Sequence, residues 1–104
     1  MIFLIREPYI PNAKELQQLT ELYRAMGDLT RMKILWILLE KECCVNELAH
    51  IINFNAPAIS HQLKTLRYAH LVKSRRCGKN IYYQLSDEHV KWILTQTLEH
   101  ISEK

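Results

Sequence analysis

The chain has 104 residues, 48% of them hydrophobic, and a net charge of +3. That length allows one domain with a thin core, which pairing with a second copy would enlarge, and no apolar run reaches the ~20 residues of a membrane span. Three cysteines, two of them adjacent (Cys43, Cys44), make no disulfide framework, and Ile2-Phe3-Leu4-Ile5 is too short and lacks the basic leader of a signal peptide, so a reducing, cytoplasmic setting is expected.

After an N-terminal arm over residues 1–12, Leu16, Leu19, Leu22, Tyr23 and Met26 recur at three- and four-residue spacing and predict an amphipathic helix. Gly27-Asp28 ends it, and Asp28 or Thr30 can cap a second helix. Met32 to Leu39 is apolar on nearly every side, which predicts a central, buried element. A short third helix follows, with Asn46 as its expected cap and Leu48, Ile51 and Ile52 in its body. Asn53-Phe54-Asn55 reads as a turn. Pro57 then opens a fourth helix over 57–68, where its missing amide costs nothing. Ile59, Leu63 and Leu66 form the buried stripe of that helix.

Beyond His70 the period shortens. Leu71 to Arg76 and Ile81 to Leu85 are β-rich runs joined by Cys77-Gly78-Lys79-Asn80, a hairpin over 71–85. Ser86 or Asp87 can cap a last helix over 87–103, whose stripe is Val90, Ile93, Leu94, Leu98 and Ile101. The expected fold is mainly α with a small β-hairpin, a winged helix-turn-helix as one domain over 1–104.

Between Leu48 and Ser86 there is no Asp or Glu, while Lys64, Arg67, Lys73, Arg75, Arg76 and Lys79 fall inside it. Such a segment is built to lie beside a polyanion. In a winged helix the 57–68 helix enters the major groove and the hairpin follows the backbone. Ser60, His61 and Gln62 can then reach base edges, with Lys64, Arg67, Arg75, Arg76 and Lys79 on phosphates. No phosphate loop or nucleophile motif points to an enzyme.

The residues Ala25-Met26-Gly27-Asp28-Leu29-Thr30-Arg31-Met32-Lys33-Ile34-Leu35, Glu47-Leu48-Ala49 and Ala58-Ile59-Ser60-His61-Gln62-Leu63-Lys64-Thr65-Leu66 resemble the ArsR–SmtB family of metal-sensing winged-helix repressors. So do Leu71-Val72, Arg75-Arg76-Cys77-Gly78 and Tyr82-Tyr83-Gln84-Leu85 of the hairpin. The resemblance implies a homodimer through the first and last helices, a two-fold operator, and repression of metal efflux or sequestration genes. His70 departs from it where glycine is common, as does Gln62 where a second histidine is common.

The last helix carries Asp87, His89, His100 and Glu103. Eleven residues return His100 to nearly the face of His89 but lift it ~16 Å along the axis, so one chain cannot close a site around one ion. Two such helices packed antiparallel can, with Asp87 and His89 from one chain and His100 and Glu103 from the other. Two imidazoles and two carboxylates suit Zn(II), with Co(II) as a substitute. Read singly, Asp87 is also a cap, Glu103 a frayed end and the histidines interface polars. The resemblance implies the family's last-helix site for zinc-type metals at these four positions. If His100 donates its second ring N–H to backbone near His70, the ion is wired to the recognition helix.

Glu42-Cys43-Cys44-Val45-Asn46-Glu47-Leu48 resembles the family's thiolate motif, with Cys44 in the ligand place and Asn46 where a second cysteine is usual. Two alternatives therefore stand beside the main reading. One is a thiol- or soft-metal-sensing repressor acting through Cys43 and Cys44. The other is a metal-buffering or protein-interaction module that does not touch DNA.

Overall fold

The computed structural model describes residues 7–103, so the Ile2–Ile5 stretch and the start of the arm lie outside the described residues. Five helices and three short strands follow in order: α1 (Ala13–Met26), α2 (Leu29–Glu40), β1 (Cys43–Cys44), α3 (Val45–Ile52), α4 (Ala56–Tyr68), β2 (Val72–Cys77), β3 (Asn80–Leu85) and α5 (Glu88–Ser102). Among the described residues, no helix is long and apolar enough to cross a membrane.

The helix starts are set by side-chain acceptors. Asn12 accepts from the Glu15 amide and Glu15 reciprocates, a capping box that begins α1. Asp28, Asn55 and Asp87 accept from the amides of Arg31, Ala58 and Val90 and begin α2, α4 and α5. For α3 the start lies two residues before the expected Asn46. Cys44 holds the cap position, and its amide donates to the Glu47 carboxylate at 3.0 Å. Asn46 is displaced because Cys43 and Cys44 pair with Tyr83 and Tyr82 of β3, which fixes the extended backbone one residue before the helix.

That pairing makes the expected hairpin a three-stranded antiparallel sheet of order β1-β3-β2. Cys77 faces Asn80 across the hairpin end, leaving a two-residue loop, Gly78-Lys79. Gly78 takes φ +63, the left-handed region that a II′ hairpin requires of its first central residue.

The core gathers Ile34, Leu35 and Leu38 of α2, Leu48 of α3, Ile59, Leu63 and Leu66 of α4, Cys43, Leu71, Val72 and Leu85 of the sheet side, and Val90 and Leu94 of α5. α2 is the hub, as its all-round apolar character requires. α1 and α5 behave differently. Only Ala25 and Met26 of α1 are buried, and past Leu94 every residue of α5 through Ser102 is exposed. Leu16, Leu19, Tyr23, Trp92, Leu98 and Ile101 keep large apolar surface uncovered. Isolated helical turns are marginal in water, so these two faces are the ones a partner chain would cover.

Candidate nucleic-acid interface and metal site

With Ile59, Leu63 and Leu66 turned into the core, the opposite side of α4 is fixed by helical geometry. Pro57, His61, Lys64 and Tyr68, at i, i+4, i+7 and i+11, share one stripe, and all four are exposed. Ser60 and Arg67 flank it, also exposed. An open depression of about 740 Å³ runs beside it, lined by His61, Lys64, Thr65, Arg67, Tyr68 and His70. Pro57 and Tyr68, the latter 86% exposed, are absent from the residues expected at DNA. Their spacing from His61 was the signal that could have found them.

Two expected DNA-facing residues are engaged elsewhere. Gln62 is half-buried on the flank of α4 that meets α2, and its Oε1 accepts from Arg31 Nη1 at 2.9 Å. Arg31 Nε also donates to the Ala25 carbonyl at 2.7 Å. A guanidinium has only donors to offer, so Gln62 serves first as the link between α2 and α4. Arg75 is clamped in the same manner. Its Nε and Nη2 donate to the two oxygens of Glu42 at 2.7 and 2.8 Å, and it lies 5.4 Å from the Tyr82 ring centroid. The hydrogen bond from Arg75 holds the Glu42 carboxyl below its usual range, and the same bond raises the Arg75 guanidinium. The pair straps the wing to the segment before β1, leaving Lys64, Arg67, Lys73, Arg76 and Lys79 as the cations of the acid-free segment that enter no described ion pair.

The four residues expected to hold a metal lie at the two ends of α5. His89 Nδ1 is 3.5 Å from Asp87 Oδ1, the same oxygen that accepts the Val90 amide, so Oδ2 is left over. Partial burial pushes the Asp87 carboxyl up, but the Val90 amide and the His89 ring together outweigh it and leave it lowered. The His89 side chain is 92% exposed. His100 lies in the last turn of the helix, on its exposed half, and Glu103 is the residue at its C-cap. Among the described residues, no three His, Cys, Asp or Glu side chains of one chain gather where they could hold an ion. The donor types fit a tetrahedral divalent site, and two chains are needed to assemble it.

Two further expectations are altered by the contacts. The His70 carbonyl takes a hydrogen bond from Ser86 Oγ at 2.7 Å; within the chain, none of the described bonds joins it to His100. His70 itself stands at φ +61, which accounts for glycine being at home there. The two cysteines do not face one way. Successive strand residues point to opposite faces; Cys43 is fully buried and Cys44 half-buried. Burial pushes the Cys43 thiol up. Cys77 is exposed near the wing tip.

The sequence profile described as bacterial regulatory protein, arsR family, matches residues 28–74, which span α2 through the start of β2. A transcriptional repressor SmtB homolog from Synechocystis sp. is 36% identical over 97 residues, covering 93% of this chain and 74% of that protein. The chain belongs to the arsR family. It is therefore a member of a family of transcriptional regulators rather than of enzymes. A cadmium resistance transcriptional regulatory protein CadC homolog from Staphylococcus aureus, another relative of this arsR-family chain, is 40% identical over 81 residues, 77% of this chain and 67% of that protein. The homodimeric winged helix-turn-helix DNA-binding domain from Mycobacterium bovis superimposes with a TM-score of 0.84 at 27% identity, covering 88% of this chain and 84% of that one.

Proposed function

We propose that this chain is a metal-released transcriptional repressor. It binds a two-fold operator as a homodimer joined through α1 and α5, and lets go when Zn(II), or Co(II) in its place, binds between the α5 helices. Asp87 and His89 of one chain would hold the ion with His100 and Glu103 of the other, giving two equivalent sites per dimer. Held by these side chains, a divalent ion would supply the positive charge that draws Asp87 and His89 at the start of one α5 to His100 and Glu103 at the end of the other.

The observation that supports the reading is the form of α5, which carries Asp87 and His89 at one end, His100 and Glu103 at the other, and a second half that is exposed through Ser102. At the DNA, Ser60 and His61 meet base edges, while Lys64, Arg67, Arg76 and Lys79 meet phosphates. Gln62 and Arg75 are positioning residues. Gln62 seats α4 on α2 through Arg31, and Arg75 seats the wing through Glu42. Sensing through Cys43 and Cys44 is less well supported, because one sulfur is in the core and the other sits at the cap of α3. Metal buffering without DNA binding has no observation in its favour.

The test is the affinity for a duplex from upstream of the protein's own gene, at one fixed salt concentration, with chelator and then with excess Zn²⁺. Zinc is expected to weaken binding at least tenfold, about 1.4 kcal/mol. Tight binding that zinc leaves unchanged would overturn the metal half of the reading and leave the DNA half standing.

A further inference from the structure

The outward stripe of α4 changes chemistry along its length. From Lys64 to Tyr68 it is cationic and hydroxylated, but its N-terminal end, Phe54-Asn55-Ala56-Pro57-Ala58, carries no charge. Asn55 spends its side-chain oxygen on the Ala58 amide at 2.8 Å. Pro57 has no N–H to offer, and Ala56 and Ala58 end in methyl groups. Pro57 is exposed, Ala58 is half-buried beside it, and Phe54 in the preceding turn is 48% exposed. A recognition helix meets base edges with its N-terminal residues. Beyond the Asn55 amide NH2, these side chains hold nothing that can exchange hydrogen bonds with a base, so what Pro57 and Ala58 can read by contact is an apolar group. In the major groove that group is the 5-methyl of thymine.

We infer that Pro57, with Ala58 beside it, selects thymine in each operator half-site by packing against its 5-methyl group. The inference rests on the docking of α4 in the major groove proposed above. The occupant is DNA because the patch continues directly into the cationic stripe of His61, Lys64 and Arg67 within a segment that contains no Asp or Glu. A surface of that sign complements a polyanion and opposes a second copy of itself. His61, one turn further along, then stands where it can hydrogen-bond the neighbouring base pair.

The test uses duplexes that the full chain itself selects from a random pool, at fixed salt and without metal. Each thymine is replaced in turn by deoxyuridine, which removes only the methyl group. One or two thymines per half-site are expected to respond, each methyl costing about fourfold in affinity, with the other thymines indifferent. Pro57→Ser is expected to bind the thymine and deoxyuridine duplexes alike. A bound duplex indifferent to every such replacement overturns the inference and leaves the docking of α4 intact. A methyl effect that persists in both Pro57→Ser and Ala58→Gly assigns the contact to another residue and also overturns it. Indifference together with an assembly larger than a dimer that Phe54→Ser breaks up would give the patch to a protein contact. If no duplex is bound in a salt-sensitive manner, the docking reading itself fails.

Discussion

Two arginines of this chain show how little a charge tells until its partner is known. Arg31 bridges the end of α1, the start of α2 and the flank of α4 through Ala25, its own amide to Asp28, and Gln62. Replacing it with Met removes two side-chain bonds and leaves the Gln62 oxygen unpaired at a half-buried site, so a loss of roughly 1–3 kcal/mol is expected. Urea unfolding measures it, and an unchanged midpoint would show that the bridge contributes nothing. Arg75 and Glu42 add a dependence on pH. The folded Glu42 carboxyl lies below its ordinary value of 4.5, so its contribution is complete above that value and is lost as pH falls through the lowered one. Glu42→Gln should therefore lower stability at neutral pH, where the contribution is complete, and change it little in acid, so that part of the acid limb of the stability curve flattens. Superimposable acid limbs for the two proteins would refute this.

At the scale of elements, the wing and α5 each make a separable prediction. If Arg76 and Lys79 sit on phosphates, changing either to Ala removes one contact per protomer and should reduce the slope of log K against log salt by about 1.8 for the dimer. Arg75→Ala should leave that slope alone and instead lower the melting temperature, since its guanidinium is held by Glu42. Equal slope changes at all three positions would return Arg75 to the DNA. On α5, His100→Ala is expected to keep operator binding in chelator and to lose the response to zinc, read in the same titration. A variant that still responds normally would remove His100 from the site. The places of α1, α2, α4 and α5 were legible from apolar spacing, from Asp28 and Asp87 at two of the starts and from Pro57 in the first turn of α4, whereas the caps Asn12 and Asn55 are absent from the expected starts. β1 was not legible, because two residues carry no period, and its existence depends on β3 arriving from about forty positions later.

At the scale of the whole molecule, the domain is closed around α2 but open along α1 and α5. Leu98 and Ile101 are exposed on a helix segment that buries nothing within its own chain. Placing Glu at both positions should yield a monomer by sedimentation and weaken operator binding steeply, because a single half-site then carries the affinity. A dimer that survives both changes would move the interface elsewhere. The same openness is what the proposed metal site requires, since the antiparallel pairing of two last helices expected from the residues needs an uncovered α5 on each chain. Asp87 and His89 are neighbours by sequence, but His100 and Glu103 lie too far along one helix to join them, and what brings the two pairs together belongs to another chain.

The amino-acid sequence alone determined what depends on local period and local charge. It set the order of the helices, the core stripe of α4, the hairpin and its glycine, and the stretch without acids on which the proposed DNA face rests. The tertiary structure decided which polar groups remain available to act. Gln62 is claimed by a residue 31 positions away and Arg75 by one 33 positions away, and no periodicity within a helix or strand encodes such pairings. They arise because packing α4 on α2 and the wing on β1 brings donors and acceptors within 3 Å, and at the half-buried Gln62 an unmet hydrogen bond would also cost stability.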